Sequence, residues 1–123
     1  VYESDWLLRQ IKNLVSSLLR VLYQENDVSY VVDEDSELSG VYAEAEMLLK
    51  NGDISTAEEF LFKNIDINNE NYLKMVLHFY SVVSDYDSDY FKKNNYDEEQ
   101  FEFGINRFLS AYGINFDAFK YNG

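Results

Sequence analysis

A chain of 123 residues has room for one domain, spanning 1–123, and excludes two full catalytic domains. With 46% hydrophobic and 17% aromatic residues it is too apolar to stay disordered. A formal charge of -13, from ten Lys and Arg against 23 Asp and Glu, penalises approach to nucleic acid or an anionic membrane surface.

Pro is absent and only five Gly occur, so helices run uninterrupted and an all-α fold is expected. The first helix falls within SDWLLRQIKNLVSSLLRVLYQEN, where Leu7, Ile11, Leu14, Leu18 and Val21 or Leu22 recur at spacings of three and four. A second row, Leu8, Val15, Leu19 and Leu22, widens this stripe so that it needs cover on two sides, and Ser4 or Asp5 can cap the first turn. The segment from Val28 to Val32 has the composition of an extended connector, with INFDAF near the C-terminus as its one obvious pairing partner in the chain.

The second helix begins near Ser36 or Ser39 and runs to Lys50, and Asn51 with Gly52 stops it. Ser55 followed by Glu58 matches a capping box and predicts the start of the third helix, which carries Ala57, Phe60 and Leu61. So short a turn forces the two helices into an antiparallel hairpin. The fourth helix, from about Glu70 to Ser84, has an apolar arc of about 220° and is expected to be central, with Lys74, His78, Ser81 and Asp85 in the polar sector. The stretch SDYDSDYFKKNNY reads as loop or one short helix. Asp97 with Gln100 then caps a last helix whose stripe is Phe101, Ile105, Phe108, Leu109 and Tyr112, ended by Gly113.

The residues Leu48, Gly52, Asp53, Ala57 and Leu61 match the pattern of one tetratricopeptide-type repeat, and the hairpin resembles a single such unit packed between a long N-terminal helix and a C-terminal helix. More of the chain, through DWLLRQI, VSY, NGDISTAEEFLF and SAYGI, resembles a family of small, functionally uncharacterised helical proteins of Gram-positive Firmicutes. That resemblance implies a bacterial helical protein and brings no catalytic residue with it.

The sequence holds no Cys, which removes disulfides, thiol nucleophiles and thiolate metal sites and suggests a cytoplasmic address. No apolar run approaches the roughly 20 residues of a membrane span. No charged leader opens the chain, although it begins at Val1 and an upstream signal is compatible with that start. His78 is the one histidine; on the polar strip of its helix it reads as solvated and not catalytic. Asp33, Asp35, Glu37 and Glu44 stand at the first, third, fifth and twelfth places of a calcium loop, but Leu38 replaces the Gly that the turn requires. Glu98, Glu99 and Glu102 fall in the opening turns of a helix, where the dipole favours negative charge. No Gly-rich phosphate loop occurs.

The residue pattern therefore predicts no catalytic site, no metal site and no cofactor. Its best functional class is a non-enzymatic protein-interaction or scaffold module, its surface drawn from Leu8, Val15, Leu19, Tyr86, Tyr90 and Tyr96. The partner is a protein of unknown identity, or a second copy joined through the first helix, and neither nucleic acid nor a membrane. The alternative is a small-molecule or divalent-cation binder, or an enzyme, that uses carboxylates in an aromatic pocket. Three or more buried carboxylates in a closed cavity would favour that alternative.

Overall fold

The computed structural model describes residues 2–24 and 37–120, and all of its regular structure there is helical. In chain order the elements are α1 (Tyr2–Tyr23), α2 (Glu37–Lys50), α3 (Ile54–Lys63), α4 (Glu70–Val83), α5 (Ser88–Lys93), α6 (Glu98–Ala111) and α7 (Asp117–Lys120). The five long helices are those the periodicity predicts, and α5 is the short helix allowed for in SDYDSDYFKKNNY. INFDAF is not extended: Ile114 closes the end of α6, and the Asn115 side chain accepts from the Asp117 N–H where α7 starts. The connector at 28–32, Asp33 and Asp35 lie outside the described residues.

α4 is central because it is apolar almost all round: Tyr72, Leu73, Met75, Val76, Leu77, Phe79, Tyr80 and Val83 are buried. α1 lays Ile11, Leu14, Val15, Leu18 and Leu19 against it, and α2 contacts another side. The C-terminal end of α1 meets the N-terminal end of α4, where the Tyr23 hydroxyl donates to the Glu70 carbonyl at 2.8 Å and the Lys74 ammonium lies 5.8 Å from the Tyr23 ring centre. This packing corrects the expectation for His78. It is 2% exposed, not solvated, although it lies one turn along from Lys74, because other elements pack around α4 on that side as well.

Helix ends are closed by one device used three times. After α2, α5 and α6 the residues Gly52 (φ 80), Asn95 (φ 51) and Gly113 (φ 74) turn left-handed. The next N–H in each case reaches back five residues: Asp53 to Leu48, Tyr96 to Phe91 and Ile114 to Leu109. This satisfies carbonyls that the helix leaves unbonded and reverses the chain within three residues. Asp53 is thus the last residue of one cap and the first of the next, since its side chain also accepts from the Thr56 N–H at the start of α3. Asn94 adds a second cap across the fold, its Oδ1 accepting from the Ile54 N–H at 3.0 Å.

These contacts correct the expected capping box. Ser55 lies inside α3 and is exposed, while Glu58 turns inward. Asp53 already serves the first turn, which leaves Glu58 available for a different partner.

Candidate functional site

α3 buries Ile54, Ala57, Glu58 and Leu61, a spacing of three and four that puts one carboxylate on an otherwise apolar stripe. Glu58 is 7% exposed, and it is the one carboxylate among the described residues that is buried. Three other elements converge on it. From α4 the Tyr80 hydroxyl donates to Glu58 Oε2 at 2.6 Å. From the turn between α5 and α6 the Tyr96 hydroxyl donates to the same oxygen at 3.0 Å. From α6 the backbone of Gly104 approaches so closely that a Cβ there would overlap the carboxylate.

Local folding explains each position. Tyr96 is the residue whose N–H closes the left-handed turn at Asn95, and its ring stacks on Phe91 at 6.0 Å. Tyr80 is held edge-on by Phe79, Phe101 and Phe108, with ring centres 5.3, 5.4 and 6.3 Å away. Such pairs each contribute about 0.5–1.5 kcal/mol beyond area burial, so the ring that bonds Glu58 is fixed before the bond is made.

Burial is the largest influence on Glu58 and pushes its carboxyl up from 4.5 to about 7, while the hydrogen bonds from Tyr80 and Tyr96 and the charge of Arg107 pull the other way. Desolvation wins because two phenols and one guanidinium, itself paired with Glu59, replace less stabilisation than water supplied. The group therefore exchanges its proton near neutrality. Tyr80 and Tyr96 are pushed well above the usual phenol range, by burial first and by the neighbouring Glu58 charge second.

Glu58 lies at the floor of an open concavity of about 510 Å³ between α3 and α6. Ser55, Glu59, Asp97, Glu99, Gln100, Phe103, Gly104 and Arg107 line it with Glu58. Arg107 pairs with Glu59 at 2.7 Å and packs its guanidinium 4.3 Å from the Phe62 ring centre and 5.4 Å from that of Phe103. Phe103 is 67% exposed, the most open of the large apolar side chains among the described residues.

The residues expected to form a surface are divided by the fold. Val15 and Leu19 are buried, at 0% and 1% exposure, on the helix that packs against α4, α5 and α7 within the chain. Tyr96 is buried because its hydroxyl turns inward to Glu58. Leu8, Tyr86 and Tyr90 are half-buried against the core; Tyr86 and Tyr90 stack at 4.1 Å, and the Tyr90 hydroxyl donates to the Leu49 carbonyl at 2.6 Å. Tyrosine hydroxyls thus serve to tie elements together. Tyr72 donates to the Leu61 carbonyl and Tyr112 to those of Asp66 and Asn69.

The acidic stretches are likewise engaged in turns. Asp66 accepts from the Asn68 N–H, Asp87 caps α5 and Asp97 caps α6, with Glu98 and Glu99 in the first turn that follows. Among the described residues no group of three or more His, Asp or Glu side chains is placed to hold a metal ion, and no helix is long and apolar enough to cross a membrane.

Glu58 and the α3 to α6 concavity escaped the reading of residue types, though Glu58 shares the stripe spacing of Ile54, Ala57 and Leu61, which was the available signal. Comparison with known proteins matches residues 1–113 to DUF6483, a family of unknown function, and the chain belongs to that family. No curated protein and no solved structure matches the chain.

Proposed function

We propose that this member of a family of unknown function is a non-enzymatic protein-interaction module whose α3 to α6 concavity receives a basic, amphipathic segment of a partner protein. One observation carries the reading: Phe103, an aromatic ring 67% exposed, stands over a concavity whose acidic groups, Glu58, Glu59, Asp97 and Glu99, outnumber its single base, Arg107. Exposed aromatic and arginine side chains in a concave patch are the usual anchors of protein interfaces, and the charge of the lining selects a cationic occupant. The net charge of -13 extends that selection over the whole approach.

The tetratricopeptide-type resemblance of the α2 to α3 hairpin fits the same reading, because stacked helical hairpins present concave binding faces. A bacterial, cytoplasmic setting is part of this reading, supported by the family resemblance and compatible with a sequence that holds no Cys. The competing reading, a carboxylate enzyme or cation binder, draws less support: one carboxylate is buried among the described residues, and the concavity over it is open.

The test uses the full chain and a helical peptide of alternating Lys and Leu faces, with a Glu-for-Lys counterpart as control, followed by fluorescence anisotropy. The basic peptide is expected to bind, to weaken steadily as salt is raised past the range where charges are screened, and to lose about tenfold in affinity on Phe103→Ala. Equal binding of the acidic peptide, or an unchanged affinity for the Phe103 variant, sinks the reading.

A further inference from the structure

The concavity has a floor as well as a rim, and the floor carries a group with two charge states. We infer that Glu58 is the recognition carboxylate of the concavity: a lysine or arginine of the docked segment reaches it through the opening between α3 and α6 and displaces its proton. The inference rests on the docking reading above and adds to it which side chain receives the cation and that binding is coupled to proton release.

The geometry supports this in three ways. First, Glu58 Oε2 is enclosed, holding the hydroxyls of Tyr80 and Tyr96 at 2.6 and 3.0 Å with the Gly104 backbone against it. The carboxylate is thereby fixed in one orientation, and Oε1 is the oxygen the tyrosines leave to a further partner. Second, Glu58 lines the concavity although it is only 7% exposed, so a cation reaching it would be largely desolvated and strongly attracted. Third, the nearest base is committed elsewhere. Arg107, the one cation acting on Glu58, places its NH2 group 2.7 Å from Glu59 Oε1 and its plane against Phe62.

The titratable groups facing Glu58 can be followed element by element: Tyr80 from α4, Tyr96 from the turn before α6, Arg107 from α6 and Glu59 from its own helix. Both tyrosines stay protonated far above neutrality, and Glu59 and Arg107 neutralise one another. Glu58 is therefore the group whose charge changes when the concavity is filled near neutral pH. An ammonium or guanidinium beside it supplies the favourable charge that burial removed and draws its proton into solvent. A neutral apolar occupant would do the reverse and hold the proton on.

The test is titration calorimetry of the full chain with the basic peptide in two buffers of different ionisation enthalpy, at neutral pH. Wild type is expected to release a fraction of one proton per peptide, and its affinity to rise about tenfold between about pH 6 and about pH 8, the change that one unit of proton competition produces. Glu58→Gln, which keeps the shape and both tyrosine contacts but has no proton to lose, should bind with no proton release and no such pH dependence. Glu59→Gln on the exposed rim should weaken binding and leave the release intact. As a readout independent of variants, carboxyl carbon resonances should show the Glu58 titration moving to lower pH when peptide is bound. Peptide that binds without proton release, or a Glu58 variant that retains the pH dependence, overturns this assignment and leaves the docking surface standing. Failure of the peptide to bind overturns the docking surface and this assignment together.

Discussion

Gly104 and Glu58 are in backbone-to-carboxylate contact: the α6 backbone lies against Oε2, and a methyl group at Gly104 would overlap the carboxylate and stand 2.8 Å from the Tyr80 hydroxyl. The absence of a side chain here is a requirement of packing and not of backbone freedom. Gly104→Ala must push α6 outward or break the bond between Glu58 and Tyr80. Overpacking of this kind costs about 1–3 kcal/mol, to which a lost buried hydrogen bond adds. Urea unfolding should show that loss, whereas Gly40→Ala, with open space about its Cα, should cost nothing and gain slightly from helix propensity. Equal effects at the two glycines would contradict the packing described.

Stability should fall as pH rises from about 4.5 to about 7. The Glu58 carboxyl is raised in the folded chain, so between those values the native state holds a proton that the unfolded state has lost. Its contribution is whole below 4.5, is lost through about 7 and changes little above that, a span on the order of 3 kcal/mol at most. Melting temperatures measured across this range should decline for wild type and decline much less for Glu58→Gln. An identical slope in both would mean that the carboxyl is not the titrating group.

Capping gives a sharper local test. Asp53→Ala removes the acceptor for the Thr56 N–H and should destabilise by about 1 kcal/mol. Ser55→Ala, in the first turn of the helix and exposed, should be within about 0.5 kcal/mol of wild type. The capping-box pattern predicts the opposite ranking, so denaturant midpoints of these two variants discriminate between the patterns.

Val15 and His78 test the contact between α1 and α4. Val15→Glu places a charge at a position with 0% exposure and should abolish the cooperative transition, with loss of helical circular dichroism. His78→Ala removes a side chain that is 2% exposed and should cost about 1–3 kcal/mol, several times what a solvated histidine would. Retention of helical signal by the Val15 variant, together with a change from dimer to monomer in sedimentation, would instead place α1 at an interface between copies.

Much of the scaffold was legible because it depends on local rules. The stripe of α1, the stop at Asn51 and Gly52, the Asp97 cap and the apolar girth of α4 each follow from spacing within a few residues. What was not legible depends on partners far along the chain. Ser55 and Glu58 obey a local capping rule, yet Glu58 is claimed by tyrosines 22 and 38 residues away. His78 falls in the polar sector of its own helix, and no helical wheel reveals that the rest of the fold covers it. Tyr90 reads as interaction surface from its residue type, yet its hydroxyl is claimed by a carbonyl 41 residues away, as those of Tyr23 and Tyr112 are by carbonyls 47 and 46 residues distant.

Those hydroxyls also set how the protein should respond to alkali. A phenol that donates to a carbonyl or carboxylate cannot lose its proton and keep that bond. Burial accordingly pushes Tyr112 up to about 12 and Tyr72 and Tyr90 higher, with Tyr80 and Tyr96 displaced furthest from water. The phenolate absorbance of these five rings should therefore rise only near the alkaline limit, since each ring must first leave the carbonyl or carboxylate it ties. Base would then unlace the molecule at the junctions between helices before it melted the helices themselves.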